Sequence, residues 1–374
     1  MANDLTPIIP ALVGSLTRVL GVRTGLLQAA DSSYDTKSVK QGDTIKVPRV
    51  TSNGVGNITP SNIPPALDDS TEEEVSLTLS NYKGARFHLS GEERTAMQEN
   101  GPDYVNKKVE RHMHAILDDI ESSLWTTAYI GAGFAATSAN GLFSSDDKLL
   151  GLGTGVTALD QAGVPNDGDR SFVFGSTAQN ALFGLNTPVV NTNEQGTDQT
   201  IRTGTFAPHF GANMRFSAYG NKSFTASGAT GFTVDGVHTK GTKVIAVNVG
   251  TGTPIPGDIV AIGNFSYVIG AYSATDETIT LISGLLEAVA DSATITVAAT
   301  SSRNLLLWRY GLIAAVRPPR VDDDAAVDQT IIVDPISGVS MRLAKYAGYH
   351  TSQWELSVVH GNAVNEPDAL AVVY

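Results

Sequence analysis

The chain has no cysteine in 374 residues, which excludes disulfides, thiolate metal centres and thiol nucleophiles together. Basic residues are the scarcer charge, 25 against 38 acidic, for a formal net charge of −13. A protein that grips nucleic acid through its phosphates needs a basic surface, so this balance disfavours DNA or RNA binding by the molecule as a whole. No apolar run reaches the roughly 18 residues that span a bilayer. Met1–Pro10 contains Asp4 and no basic leader, so it lacks the pattern of a secretory signal. These absences lead to the expectation of a soluble chain made inside a cell. Glycine is plentiful at 37 residues, and 41% of residues are hydrophobic. That composition suits many turns around enough apolar material for two or three domains.

Ile9, Leu12, Val13, Leu16, Val19 and Leu20 recur at three- and four-residue steps, predicting a short helical arm stopped by Gly21. Gly42 and Asp43 form a turn before a strand over Thr44–Pro48. Val75, Leu77 and Leu79 alternate with Ser76, Thr78 and Ser80, the pattern of a half-buried strand. Between the two strands lie the turn-rich stretch Asn53–Pro65 and the acidic residues Asp68, Asp69, Glu72, Glu73 and Glu74. Together they predict a hairpin with a long, projecting polar tip. Ser90 followed by Glu93 is a capping box, which opens a short helix broken at Asn100–Pro102. Val105, Val109, Met113, Ile116, Leu117, Ile120, Leu124 and Ala128 then share one face of a helix running from about Asp103 to Ile130. Such a helix would be roughly 40 Å long, well beyond the common length of about 11–12 residues.

Gly151–Asp169 reads as a loop, Arg170–Gly175 as a buried strand and Ser176–Leu185 as a short helix. Lys222–Ser302 changes character: it is rich in threonine, valine and glycine and poor in charge. Short strands at 243–249, 259–262, 267–271, 278–281 and 294–298 predict a small barrel or sandwich there. Leu305–Trp308 and Leu312–Val316 resume an apolar core as strand or helix, and Val358–Val359 and Leu370–Val373 suggest terminal strands. There is no internal repeat.

None of the short patterns makes a convincing catalytic or binding motif. Gly151, Gly153 and Gly155 resemble part of a dinucleotide loop, but the expected surroundings are not strand and helix, and a flexible loop is the simpler reading. Ser80 and Lys83 match S-x-x-K at the end of a strand rather than the start of a helix. His112 and His114 are two apart on a helix and point to different faces, whereas metal-binding pairs sit four apart. Asp322, Asp323 and Asp324 lack the glycine and glutamate of a calcium loop. They read as a weak cation site, a solvated run, or partners for Arg303, Arg309, Arg317 and Arg320. Lys107, Lys108 and Arg111 stand near a helix start, where the macrodipole disfavours positive charge. Either they form a solvated face or an acidic partner offsets the cost.

The order of these pieces resembles the tailed-bacteriophage major capsid proteins of HK97 fold, of the P22 coat-protein type. The resemblance is carried by Pro7–Pro10 of the arm, Gly42–Pro48 and Glu74–Ser90 of the hairpin, the long helix, Asp198–Phe216, Leu305–Val316, Asp334–Gly338 and Ala369–Val373. It implies an α+β, HK97-like capsid fold with a long spine helix, an extended β-hairpin loop, an α/β axial domain and an inserted small β-barrel domain. The expected division is an arm at 1–40, the extended hairpin at 41–82, and a peripheral domain at 83–140 with its spine helix at 103–130. The axial domain would occupy 141–221 and 303–354, the inserted barrel 222–302, and terminal strands 355–374.

The implied role is a non-enzymatic coat protein that self-assembles as pentamers and hexamers into an icosahedral shell around a double-stranded DNA genome. An encapsulin-like compartment shell is the alternative. The resemblance further implies a scaffolding protein and a portal protein as partners, with a decoration protein allowed. It implies no cofactor, metal or membrane, and places the protein in the virion after assembly in the host bacterial cytoplasm. The negative charge then suits an inner wall along which DNA slides. With no catalytic residue expected, the site residues are inter-subunit contacts: Asp68, Asp69, Glu72, Glu73 and Glu74 of one copy against Lys107, Lys108 and Arg111 of the next.

Overall fold

The computed structural model describes residues 24–33, 40–49, 73–93, 95, 103–137, 142–143, 149–184, 206, 208–221, 223–248, 250–320, 326–334 and 337–374. A short helix, α1 (Gly25–Ala29), precedes strands β1 (Thr44–Arg49), β2 (Glu73–Thr78) and β3 (Asn81–Ser90). Then come the long helix α2 (Asp103–Gly131), β4 (Phe134–Ala136), α3 (Leu150–Gln161), β5 (Arg170–Phe174), α4 (Ser176–Gly184) and β6 (Ala212–Phe216). Short strands follow: β7 (Ser223–Phe224), β8 (Phe232–Val234), β9 (Val244–Asn248), β10 (Ile259–Ile262), β11 (Phe265–Ser273), β12 (Thr278–Leu281), β13 (Thr294–Val297) and β14 (Ser301–Ser302). The last are β15 (Asn304–Trp308), β16 (Leu312–Arg317), β17 (Ala326–Val333), β18 (Ser340–Gly348), β19 (Thr351–Val364) and β20 (Leu370–Val373).

Helix α2 is 29 residues long, or about 43 Å at the standard rise. Its buried stripe, Val109, Met113, Ile116, Leu117, Ile120, Leu124 and Ala128, lies against a five-stranded sheet built on β19. Strand β3 pairs along one edge of β19, while β18 and then β16 pair along the other. Strand β17 adds to β18. The apolar run of β16 is explained by two covered faces. Leu312, Ala314 and Val316 belong to the core shared with α2. Ile313 and Ala315 point the opposite way, into a small cluster with Val47, Leu77, Leu79 and Val359. The base of the β1–β2 hairpin therefore packs on the sheet face opposite the long helix. Gly361 makes that approach possible, since a Cβ there would stand 2.4 Å from the Thr78 carbonyl oxygen. The expected tip of the hairpin, the arm stripe at 9–20 and Asp322–Asp324 lie outside the described residues.

The second sheet runs β11-β4-β20-β15-β5-β6. Helix α3 packs on it and corrects one expectation, because the glycine run at 151–155 is helical rather than a loop. Leu152, Val156 and Leu159 are buried, and a Cβ on Gly155 would sit 3.3 Å from Leu306 and 3.5 Å from Ala136. The helix lies low over the strands because that position lacks a side chain. Close packing offsets the cost of about 1 kcal/mol that glycine brings to a helix interior.

Within 222–302 the pairings close on themselves: β8-β9-β12-β11-β10-β13 and back to β8. Phe232, Ile245, Val260, Tyr267, Ile279 and Ile295 fill the ring and share one core with Phe172, Leu306 and Val373 of the second sheet. The ring is also joined to that sheet by a strand. Ser266 and Tyr267 of β11 pair with β4, and from Ile269 onward, across an irregularity at Gly270, the strand pairs with β12. The ends of the segment pair with each other as β7 and β14, forming a neck. The expected axial stretch 303–354 does not stay in one sheet. Strand β15 belongs to the second sheet, whereas β16, β17 and β18 belong to the sheet under α2. The apolar runs of β15 and β16 are alike, and only their pairing partners separate them.

Candidate assembly surfaces

Glu74 pairs with Lys46 at 2.6 Å and Glu73 with Arg49 at 3.4 Å, both across the exposed hairpin base. Arg49 also reaches Glu366 at 2.6 Å, tying the hairpin to the turn before β20. Burial holds the Glu366 carboxyl above its usual range against the pull of Arg49. Lys107, Lys108 and Arg111 lie in the first turns of α2, with Lys108 Nζ 6.0 Å from the Phe87 ring. Asp68, Asp69 and Glu72 fall outside the described residues. The capping box at the end of β3 is reciprocal: Glu93 N donates to Ser90 Oγ at 3.2 Å, and Ser90 N donates to Glu93 at 2.8 Å. Those bonds hold the Glu93 carboxyl below its usual range.

Two buried polar anchors were not read from the sequence. Glu121, on α2, has no exposed surface. Its carboxylate accepts hydrogen bonds from the backbone N–H groups of Leu26 (2.9 Å) and Leu27 (3.0 Å) and from Ser217 Oγ (2.8 Å). It thereby supplies acceptors for the opening turn of α1. Burial pushes its pKa up, against these three bonds. The same segment continues to Asp31, whose N–H donates to Leu312 O and whose carbonyl accepts from Ala314 N. Residues 24–31 thus strap the long helix to both sheets.

Arg303 stands at the neck, although the sequence placed it among arginines facing the acidic run 322–324. Only 2% of it is exposed. Its guanidinium lies 3.7 Å from the Phe224 ring and 5.6 Å from Tyr129, and Nη1 donates to Gly257 O at 2.7 Å. Burial pushes its pKa down to about 10.

A polar hollow of about 300 Å³ lies between α2, β3 and β19. Asp119, Ser122, Ser123, Thr126 and Thr127 form its floor, and Asn81, Lys83 and His360 its wall. Asp119 stands 3.6 Å from Lys83 and 3.5 Å from His360 Nε2. Burial pulls the His360 pKa below its usual value despite Asp119. The sign of the linkage follows. The stability His360 contributes is present above about pH 6.5, the ordinary histidine value, and is lost as pH falls through its lowered folded value. We expect His360→Gln to flatten that part of the acid slope in denaturant melts compared at pH 7 and pH 5. An unchanged slope would exclude His360 as its source.

The remaining candidates do not assemble into a reactive site. His112 Nδ1 contacts Lys108 O at 2.6 Å, and its ring lies 5.1 Å from Phe87. Neither ring nitrogen of His114 has a hydrogen bond among the described residues. Ser80 and Lys83 flank the junction of β2 and β3. Among the described residues no group of three histidine or carboxylate side chains could hold a metal ion.

No family model and no curated protein matches the chain by sequence. Solved structures do match. The cyanophage A-1(L) capsid asymmetric unit superposes with a TM-score of 0.54 at 14% identity, over 96% of this chain and 94% of that one. A structure from Mycobacterium phage Che8 superposes with a TM-score of 0.53 at 12% identity, over 95% and 92% of the two chains. Over nearly its whole length the chain thus shares its overall fold with a solved phage capsid structure.

Proposed function

We propose that this chain is the major capsid protein of a tailed phage, a subunit that builds a closed shell around double-stranded DNA. The observation that carries this reading is the likeness to a cyanophage capsid subunit over nearly the full length of both chains. In finer detail, the fold is HK97-like: α2 is the spine, β1 and β2 are the base of the extended loop, and the second sheet is the axial domain. The ring within 222–302 stands in the place of the P22-type inserted barrel. Scaffolding and portal proteins are its partners in assembly. Electron microscopy and sedimentation of the purified protein, with and without a scaffolding protein, test the reading. Uniform closed shells are expected. A monomer under every condition, or shells filled with a protein cargo in place of DNA, would overturn it.

Between copies, the acidic flank Asp68, Asp69 and Glu72–Glu74 meets Lys107, Lys108 and Arg111 of the neighbour. Glu73 and Glu74 already pair with Arg49 and Lys46, but at exposed positions, where such a pair is worth at most about 1 kcal/mol and exchanges partners at little cost. Repetition over a lattice makes small contacts sum. We expect Lys107→Glu with Lys108→Glu to abolish particle formation, and Glu72→Lys, Glu73→Lys and Glu74→Lys together to restore it. Normal particles from the first variant would sink this contact.

A further inference from the structure

We propose that Arg215 and Arg309 form a binding site for a phosphate group at the rim of the second sheet, filled by the free ion or by a phosphodiester of DNA. The inference goes beyond the assembly reading and does not rest on it.

The sheet register brings the two arginines together. Ser171 of β5 stands opposite Leu307 of β15 on one side and Asn213 of β6 on the other. Arg215 lies two residues beyond Asn213, so strand alternation puts it on the same face as Ser171. That face is the one turned to α1, because Val173, Leu305 and Leu307 share a core with Leu26 and Leu27. Arg309 follows β15, and its N–H donates to Asp169 O at 3.2 Å. Strand β6 ends the order of its sheet, which leaves this corner at an edge.

Neutral groups hold Arg215 in place. Nε donates to Ser171 Oγ at 3.2 Å and Nη1 to Gln28 Oε1 at 3.3 Å. These bonds occupy two of the five N–H groups of a guanidinium and fix its plane. The others remain for a ligand. Arg215 is half-buried, and Arg309 is exposed.

The missing element is an acid. Arg49, Arg86 and Arg170 each hold a carboxylate, Arg170 at 2.6 Å from Asp160. Among the described residues, neither Arg215 nor Arg309 has one. Asp167 is engaged elsewhere, accepting from Trp308 Nε1 at 3.2 Å and from Asp169 N at 3.1 Å. Asp169 touches Arg309 through the backbone but makes no ion pair with it. Burial, and then the like charge of Arg309, hold the Arg215 pKa below its usual value. Two cations therefore stand close together with no counter-charge, in a chain whose net charge is −13. A bound anion would relieve both their repulsion and the partial desolvation of Arg215.

The geometry favours phosphate over carboxylate. One guanidinium fork can fill the two coplanar oxygens of a carboxylate by itself. The tetrahedral oxygens of a phosphate face in different directions, so two planar forks from different strands can share it. The excess of acid over the whole chain repels anions at a distance, so affinity has to come from these short contacts.

Two titrations of dissociated subunits test the site and separate its sources. Inorganic phosphate is followed by its ³¹P line width at constant ionic strength, and a short DNA duplex by fluorescence anisotropy. We expect the parent to bind at least one of them, and Arg309→Gln to bind it at least tenfold more weakly. The Arg309 side chain makes no hydrogen bond or ion pair among the described residues, so this variant is expected to fold. Arg309→Lys keeps the charge but loses the fork and should fall between the two. Arg320→Gln removes an equal charge beyond β16 and should bind like the parent. Binding of phosphate identifies the free ion, and binding of the duplex alone identifies the phosphodiester; either supports the site. If the parent binds neither anion, or if Arg309→Gln binds no more weakly than Arg320→Gln, the site is overturned. The titrations need no particles, so the capsid reading stands or falls separately.

Discussion

Glu121→Ala is expected to lose about 5 kcal/mol of stability and to undock the strap at residues 24–31. The carboxylate is the acceptor for two backbone N–H groups and one hydroxyl, all within 3.0 Å and all buried. Deleting it leaves three donors without partners, at about 1–3 kcal/mol each, plus a cavity in a packed core. Glu121→Gln separates charge from shape. Its single carbonyl can keep Leu26 and Ser217, but its NH₂ then faces the Leu27 N–H, for an expected loss of about 2 kcal/mol. The pH dependence has a definite sign. The folded carboxyl sits above its ordinary value because it is buried. Its contribution is therefore fully present below the ordinary carboxylate pKa and is lost as pH rises through the folded one. The penalty of Glu121→Gln should accordingly shrink with rising pH across that window. Denaturant melts report the stabilities, and amide exchange at Leu26 and Leu27 reports the docking. Unchanged exchange at both amides in the alanine variant would refute the strap. Gly25 supplies an independent check, because a Cβ there would stand 2.2 Å from the Phe216 carbonyl oxygen. Gly25→Val should undock the same segment while leaving Glu121 intact.

Arg303→Ala is expected to cost about 3 kcal/mol and to loosen the neck between the strand ring and the long helix. The guanidinium lies over the Phe224 ring with Tyr129 beside it, where a desolvated cation–π contact contributes about 2 kcal/mol. The charged hydrogen bond to Gly257 O adds about 1.5 kcal/mol or more. Burial works against both, as the pKa depressed to about 10 records. For that reason Arg303→Met should cost less than the alanine variant. It keeps an apolar stem against the Phe224 ring and removes a charge that is expensive to bury. Calorimetry on both variants, with limited proteolysis at 223–224 and 301–302, tests the assignment. An alanine variant within about 0.5 kcal/mol of the parent, the usual range of a neutral surface change, would refute it.

These two anchors show where sequence reading stops. Glu121 meets residues 94 and 95 positions away, and Arg303 meets a carbonyl 46 positions away. Both are charged residues whose composition predicts solvent, and nothing local marks them as buried. The glycine run at 151–155 misleads for a related reason. Local propensity favours a turn there, but the helix is held by its low approach to Leu306 and Ala136. Strands β17 and β18 escape the sequence pattern because β17 is mostly exposed and β18 buries the charged residues Arg342 and Lys345, so neither shows a clean apolar alternation. The hollow is assembled from residues 81–83, 119–127 and 360, three segments with no sequence relation.

What the sequence determined by itself was the local periodicity. The three-and-four stripe placed the long helix at 103–130, and it spans Asp103–Gly131. The alternation at Val75–Leu79 marked β2, Ser90 and Glu93 marked the cap, and the threonine- and valine-rich segments marked β9 to β13 to within about two residues. The absence of cysteine and the excess of acid narrowed the chemistry before any element was placed. Tertiary structure alone decided which strands pair, that β15 and β16 part into different sheets, that the ring closes and joins β4, and which charges are buried. The physical reason is that periodicity is written in neighbouring residues. Register, closure and burial depend on contacts between distant ones, and their energies exist only once the chain has brought those residues together.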